Sequence, residues 1–453
     1  MRREQVAGTR GTAQTIAIER LAAGGDGVGR VGGKTVFVPL SAPGDIVAAE
    51  IVEERRTFCR ARLLRVVTPS PDRAEPSCPH FGTCGGCSWQ HLAYPAQLAA
   101  KRAIVADALR RIGGLDPPSL PPTLASPLVL GYRHRARLHA VRAGDAVRLG
   151  FFRAGSRRIV PIQSCPVLHL ALNIALGALA AALRRPRAPL APGTEVRIDT
   201  DWEGSTLRLT LHGPGGAALR VPAFLDQALR EAAAPAGIAV DTGGDRSLPL
   251  RLGPDAGDLV TTGATFTQVN LAQNRALVAT ALDLAGVRPG DEVLDLCCGL
   301  GNLAVPAAAR GARVLGVDLD GEAVRQARDN ARRAAVDATF VRGDAAAGAA
   351  ALAAEGRRFD LVLLNPPRAG ARAACAALTA LAPARIVVVS CDPATLARDA
   401  AVLAAGGLRL AAAQPLDLFP QTAHVETVAR FDPDPRVRPD PAAQQTSQPR
   451  GRA

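Results

Sequence analysis

The hydrophobic pattern of the chain falls into two rhythms. From about Thr15 to Val67 the apolar residues come in short β-type runs: Thr15-Ile-Ala-Ile18, Lys34-Thr-Val-Phe-Val38, Asp45-Ile-Val-Ala-Ala49 and Arg60-Ala-Arg-Leu-Leu64. Gly24-Gly-Asp-Gly-Val-Gly29 and Ala42-Pro-Gly44 punctuate them. Closely spaced strands with glycine turns predict a small barrel of the OB type over residues 10–68. A generic β module satisfies the same spacing. Thr68-Pro-Ser-Pro71 then breaks the chain.

After Ala272 the rhythm becomes regular. It predicts helix 272–285, strand 292–296, helix 302–309, strand 313–317 and helix 321–334. Strand 360–364, helix 371–380, strand 385–389, helix 394–404 and a final strand 424–431 follow. Alternating apolar strands and helices imply an α/β fold with a doubly wound, mostly parallel sheet over 263–432. The intervening stretch 72–262 reads as a mixed α+β domain, with helices over Pro95–Arg111 and Leu168–Arg184 and an irregular loop at Pro117-Pro-Ser-Leu-Pro-Pro122. Beyond Asp432, Pro, Arg, Gln and Ser dominate, so 433–453 is expected to be a disordered tail.

Composition narrows the class. With 48% hydrophobic residues the chain is globular, and its +13 charge fits a polyanionic partner such as nucleic acid. Arg-rich, Ala-rich usage also arises from genomic composition, so charge alone decides little. No run approaches the ~18 apolar residues of a membrane span. Nor does the N-terminus show the apolar segment of a secretory signal, and a cytoplasmic protein is expected. In that setting nine cysteines point to ligands or catalysis rather than disulfides.

Two motifs carry chemistry. In Val293-Leu-Asp-Leu-Cys-Cys-Gly-Leu-Gly-Asn302 a strand runs into a glycine turn, where Gly299 lets the backbone approach a ligand. Asp318 ends the next strand and suits ribose hydroxyls; Asp344, after the strand near Phe340-Val341, is placed to read an adenine edge. A dinucleotide fingerprint needs a third glycine that is absent after Gly301, and the pattern instead resembles class I (Rossmann-like) S-adenosylmethionine-dependent methyltransferases. The second motif is Cys391, at the end of Arg385-Ile-Val-Val-Val-Ser390 and before a helix starting near Pro393. Open α/β sheets hold ligands at such strand ends, and a helix N-terminus favours a thiolate.

Leu361-Val-Leu-Leu-Asn365-Pro-Pro-Arg-Ala-Gly370 ends another strand. Methyltransferases that modify exocyclic amines have a similar loop, usually continuing with an aromatic; here Arg368 follows the prolines. An amine reaction also leaves Cys391 idle. A thiol becomes useful when the target carbon is a poor nucleophile, as C5 of uracil is, because addition to C6 turns C5 into an enolate carbon. Glu426, in His424-Val-Glu-Thr427, is the candidate base for the C5 proton.

A cysteine cluster lies elsewhere. Cys78-Pro-His-Phe-Gly-Thr-Cys84-Gly-Gly-Cys87 holds three thiols, and Cys165 supplies a fourth. Four thiolates suit tetrahedral zinc or a [4Fe-4S] cluster, and spacing does not separate them. Cys59, Cys297, Cys298 and Cys375 read as packing residues, as does Trp89. His80 and His91 flank the cluster as hydrogen bonders. Arg133, Arg135 and Arg137 alternate, forming either a phosphate track or a solvated face.

Over roughly residues 10–431 the chain resembles the bacterial RNA uracil-C5 methyltransferases, most closely the ribosomal RNA members. The resemblance implies a TRAM domain for the barrel, a flipped uridine in 23S ribosomal RNA, S-adenosylmethionine as donor and a [4Fe-4S] cluster on Cys78, Cys84, Cys87 and Cys165. It makes Cys391 the nucleophile and Glu426 the base, with Gln268, Gly299, Asn302, Asp318, Asp344 and Asn365 around the cofactor. Many members have Asp where this chain has Asn365; a neutral amide donates and accepts hydrogen bonds to uracil but is no carboxylate. A transfer RNA uridine is the alternative target, and a catalytically idle iron-sulfur RNA-binding protein the alternative class. A monomer is expected.

Overall fold

The computed structural model describes residues 11–437 apart from 118, 186–187, 245 and 253–257. Most of the expected tail, from 438 onward, lies outside the described residues.

Six strands form the N-terminal sheet: β1 (Ala13–Ala17), β2 (Arg20–Leu21), β3 (Gly27–Val31), β4 (Lys34–Val38), β5 (Ile46–Glu54) and β6 (Phe58–Thr68). They pair in the order β1-β5-β6-β4-β3-β2. The two edge strands are separated by only two residues, so the sheet closes through that bend into a barrel. Ile16, Val36, Val38, Val47 and Ile51 fill it. β3 occupies the glycine run expected to be a turn. Its glycines serve close approach, since a Cβ on Gly29 would sit 2.4 Å from the Ala17 carbonyl oxygen.

After helix α1 (Tyr94–Arg111) comes a second sheet of β7 (Arg135–Ala143), β8 (Ala146–Phe152), β9 (Ile159–Pro161), β10 (Glu195–Thr200), β11 (Thr206–His212), β12 (Ala218–Leu219) and β13 (Ala239–Asp241). Its order is β12-β11-β10-β7-β8-β9, with β13 parallel to β11. Helices α2 (Leu170–Ala182) and α3 (Ala223–Ala233) cover its apolar face through Leu172, Leu176, Leu179, Leu225 and Leu229. A short ribbon, β14 (Leu248–Pro249) with β15 (Val260–Thr261), leads onward.

The C-terminal unit alternates α4 (Leu271–Ala285), β16 (Glu292–Leu296), α5 (Ala304–Ala309), β17 (Arg313–Asp318), α6 (Gly321–Ala334), β18 (Ala338–Arg342), α7 (Ala345–Ala354), β19 (Leu361–Leu364), α8 (Arg372–Leu381), β20 (Arg385–Ser390), α9 (Pro393–Ala405), β21 (Leu408–Leu416) and β22 (Glu426–Pro433). The pattern predicted most of these; α7, an alanine-rich helix with little amphipathic contrast, and β21 are additions. β22 runs through Asp432 and Pro433, where the tail was expected to begin.

The sheet order is β18-β17-β16-β19-β20-β22-β21, parallel except for β22, which pairs antiparallel to both neighbours. Successive residues face opposite buried layers. Val293, Leu363, Val387 and Val389 join one core with α4, α5 and α6, and Leu294, Leu296, Leu364 and Val388 join the other with α8 and α9. Burial on both faces explains why these strands read as continuous apolar runs.

Val105, Ala108 and Leu109 of α1 also belong to that second core. The same helix buries Lys101, whose Nζ lies 2.5 Å from Asp417 Oδ1 and 3.1 Å from the Phe419 carbonyl oxygen. Both charged side chains are fully buried. Burial pulls the lysine down and the aspartate up, and each charge opposes the shift in the other. Among the described residues no helix is long and apolar enough to cross a membrane.

Removing one partner of such a pair leaves an uncompensated buried charge, which costs about 3–5 kcal/mol. Lys101→Met should therefore lower the calorimetric melting temperature sharply, and Lys101→Met with Asp417→Leu should recover much of the loss. Equal losses in both variants would show that packing, not charge, dominates there.

Candidate active site

All eight residues expected around the nucleophile and cofactor line one cavity of about 750 Å³: Gln268, Gly299, Asn302, Asp318, Asp344, Asn365, Cys391 and Glu426. It opens at the carboxyl ends of the parallel strands, where the sheet order changes direction beside β16.

The glycine turn sits under it. Gly299 and Gly301 have φ of +56° and +94°, which L side chains rarely adopt. A Cβ on Gly299 would meet nothing within 4 Å, so that face of the turn is open to the cavity. Cys297, expected to be a packing residue, also lines the cavity, with φ +59°. Asp318 accepts the Gly299 N–H at 2.8 Å on one oxygen and the Asp320 N–H at 2.8 Å on the other. Each oxygen retains a lone pair for a ligand.

Asp344 caps α7, its Oδ1 accepting from Ala346 and Ala347 at 3.0 and 2.9 Å. Asn302 forms a reciprocal amide pair with Asn274 of α4, at 2.9 and 3.0 Å. Nothing in the pattern of α4 marks Asn274; its partner was visible and it was not. Beneath the turn, Asp295 is buried, and burial together with the Asp318 charge holds its carboxyl well above the carboxylate range.

The candidate nucleophile and base are placed by strand register. β20 and β22 pair Ser390 with Thr427. Cys391 and Glu426 lie one residue beyond that ladder on its two chains, and both line the cavity. Glu426 is 2% exposed, and burial pushes its carboxyl up to about 8 against the pull of Arg368. Cys391 is half-buried. Its thiol is raised by burial and by Glu426 and Asp392, and lowered by Arg368.

The α9 N-terminus does begin at Pro393, beside Cys391, but it brings an opposing charge with it. Asp392 caps that helix, taking the Ala394 and Thr395 N–H groups at 2.9 Å each, and it adds negative charge beside the thiol. The positive neighbour is Arg368. Its sequence signal was present, as the departure from an aromatic after Asn365-Pro-Pro, but no role was attached to it.

The four clustered cysteines line a second cavity of about 680 Å³ together with Arg133, Arg135, Arg137 and Arg153. Burial raises Cys84, Cys87 and Cys165, the last to about 11, and the thiols raise one another. Among the described residues, no group of three or more His, Cys, Asp or Glu side chains is arranged to hold a metal ion.

The alternating arginines do share a face. Arg135 pairs with Asp199, Arg137 lies 3.4 Å from Glu195, and Arg133 lies over the Tyr132 and Phe419 rings. Trp89 is packed, donating to the Gly25 carbonyl at 2.9 Å, and His91 contacts the Ser41 carbonyl.

A seven-stranded sheet with one antiparallel strand, a glycine turn and a carboxyl-edge cavity define a Rossmann-like methyltransferase. A methyltransferase-domain profile matches residues 293–384 and a TRAM-domain profile residues 8–64. The chain is 39% identical to a 23S rRNA (uracil(1939)-C(5))-methyltransferase of Alkalilimnicola ehrlichii, covering 92% of this chain and 96% of that protein. A Pectobacterium carotovorum protein of the same name is 37% identical, over 94% and 95%. Among solved structures, the Pyrococcus abyssi tRNA (uracil-54, C5)-methyltransferase in complex with S-adenosyl-L-homocysteine is similar, with TM-score 0.66 and 25% identity over 92% of this chain and 100% of that one. The chain belongs to the RNA (uracil-C5)-methyltransferase family.

The raised carboxyl of Glu426 has a thermodynamic consequence. Its folded value of about 8 exceeds its ordinary 4.5, so between those limits the unfolded chain releases a proton that the folded chain keeps. Stability is then lost progressively as pH rises from 4.5 to 8. Glu426→Gln, which cannot ionise, should be more stable than wild type at pH 7, by up to about 3 kcal/mol. The melting-temperature gap should grow from pH 5 to pH 8; a constant gap would remove the raised carboxyl.

Proposed function

We propose that this chain transfers a methyl group from S-adenosylmethionine to C5 of a uridine in 23S ribosomal RNA, through a transient bond between Cys391 Sγ and C6. The observation that carries this reading is that Cys391 and Glu426, each one residue beyond the Ser390–Thr427 pair, line the same cavity as the glycine turn and Asp318. The 23S ribosomal RNA substrate for which the relatives are named supports the ribosomal target.

The residues present fit the donor. Gly299 leaves backbone room, Asp318 keeps a lone pair on each oxygen, and Gln268, Asn302 and Asp344 complete the polar lining. When bound, S-adenosylmethionine supplies an electrophilic methyl carbon on a sulfonium. Cys391 thiolate adds to C6, the C5–C6 π pair shifts toward C5 and O4, and C5 becomes the nucleophile. Asn365 at the end of β19 both donates and accepts, complementary to O4 and N3–H of uracil. After methylation Glu426 takes the C5 proton, the double bond reforms and the thiolate leaves. A carboxyl near 8 suits that step, because a base is most effective when matched to the working pH.

Cys78, Cys84, Cys87 and Cys165 are the residues that would hold a [4Fe-4S] cluster. Four free thiols on one cavity, with Arg133 beside them, supply the ligand type and counter-charge such a cluster takes, although they are not gathered around one metal position. A transfer RNA uridine is the second reading, favoured only by the Pyrococcus structure.

Cys391→Ser should abolish methyl transfer to unmodified RNA, and Glu426→Gln should accumulate a covalent protein–RNA adduct. Full activity of the serine variant would end the covalent reading. Mass spectrometry of ribosomal and transfer RNA from cells lacking the protein separates the two targets by which pool loses 5-methyluridine. For the cysteine site, anaerobically purified protein should contain iron and acid-labile sulfide in equal amounts, lost in Cys84→Ser; zinc in their place would overturn the iron-sulfur assignment.

A further inference from the structure

Several arginines of the C-terminal unit have acidic partners. Arg313 pairs with Glu292, Arg325 with Glu322, and Arg385 and Arg430 share Asp432. Arg372 and Arg398 act on Asp399. Arg368 differs. It lines the cavity with Cys391, His424 and Glu426, and no ion pair or hydrogen bond to it exists among the described residues.

Its loop is pinned from both sides. Asn365 donates its backbone N–H to the Leu296 carbonyl at 3.2 Å, and Gly370 closes a turn onto the Pro367 carbonyl at 2.9 Å. The Ala371 N–H is held by Asp399 Oδ2 of α9 at 2.8 Å. Gly370, with φ +81°, leaves no space for a side chain, since a Cβ would lie 2.8 Å from that same oxygen. The turn that carries Arg368 is thus tied to the end of β16 and to α9, on the cavity that Cys391 also lines.

We propose that Arg368 is a positioning residue whose guanidinium is the counter-charge that favours the thiolate of Cys391 against burial and its two carboxylate neighbours. This rests on the covalent reading above. The charged and titratable groups facing Cys391 are Glu426 from β22, Asp392 from its own turn and Arg368 from the adjacent loop. Burial keeps His424 neutral, down to about 4, so it offers no cation. Arg368 is therefore the one positive charge acting on the sulfur among these groups, against two carboxylates. Asn365 strengthens the arrangement, because a carboxylate there, three residues before Arg368, would add a competing negative charge. Closure of the cavity by RNA excludes water, and the guanidinium then acts through a lower dielectric.

The test is alkylation of the full-length protein by iodoacetamide over pH from about 6 to 10, reading the Cys391 peptide by mass spectrometry. Arg368→Gln should raise the midpoint by about one unit and slow Cys391 alkylation at neutral pH about tenfold. Arg368→Lys, which keeps the charge, should stay within about threefold of wild type. A folded Arg368→Gln protein with the wild-type profile overturns the proposal. So does an unchanged profile with weaker RNA binding and a salt slope reduced by about one, which marks a phosphate contact. The alkylation needs neither RNA nor donor, so its failure is separable from that of the covalent reading, which falls with a fully active Cys391→Ser.

Discussion

The chemistry rests on one antiparallel strand inserted into an otherwise parallel sheet. A parallel neighbour of β20 would bring its own carboxyl end to the cavity; β22, running the other way, brings its first residue. That residue is Glu426, and the pairing Ser390–Thr427 leaves it and Cys391 each one residue beyond the ladder. A register slip of one residue would turn Glu426 to the other face and replace it with an apolar or hydroxyl neighbour. The alternating burial of β22, with Val428 in one core and Ala429 and Phe431 in the other, makes such a slip costly. Packing far from the cavity therefore sets the distance between Cys391 and Glu426.

The segment between β21 and β22 needs its own support, because it lines the cavity through Phe419 and His424 and belongs to no strand. Support comes from a distant part of the chain. Lys101 holds Asp417 and the Phe419 carbonyl, Gln97 bonds Gln421, and the Ser88 and Trp89 N–H groups both reach the Gln421 carbonyl. Ser88 and Trp89 directly follow Cys87. Order in the cysteine arm is thereby transmitted to the active-site wall through a few short polar contacts, each buried enough to be expensive to break.

Much of this was legible from residues alone, and the reasons differ. The β/α alternation was readable because both faces of the parallel strands are buried, so each strand shows as an apolar run. That Cys391 and Glu426 would line the cavity was readable because strand ends in such sheets hold ligands. What escaped was non-local or lacked contrast. Lys101 looks like the polar side of an amphipathic helix, and only its fold partner, 316 residues away, makes it a core residue. Asn274 is an ordinary helix position until Asn302 is brought beside it. The helix after Asp344 is almost all alanine and has no periodicity to detect. The strand β3 was hidden by glycines that signal turns in sequence but here permit close backbone approach. The electrostatic effect of the α9 N-terminus was misjudged because Asp392 is both cap and anion.

The two cavities also share a wall. Phe266 and Thr267 line both the cysteine cavity and the active-site cavity, and Gln268 continues into the latter. This segment is held at its start, where Arg135 donates to the Gly263 and Thr265 carbonyls, and at its end, where Asn270 bonds Ser126 and the Leu418 carbonyl. Arg135 is in turn fixed by Asp199 across β7 and β10. The wall is thus anchored on the central sheet at one end and on the catalytic unit at the other. Phe266, Thr267 and Gln268 thus sit between two hydrogen-bonded ends, where the lining of one cavity gives way to that of the other.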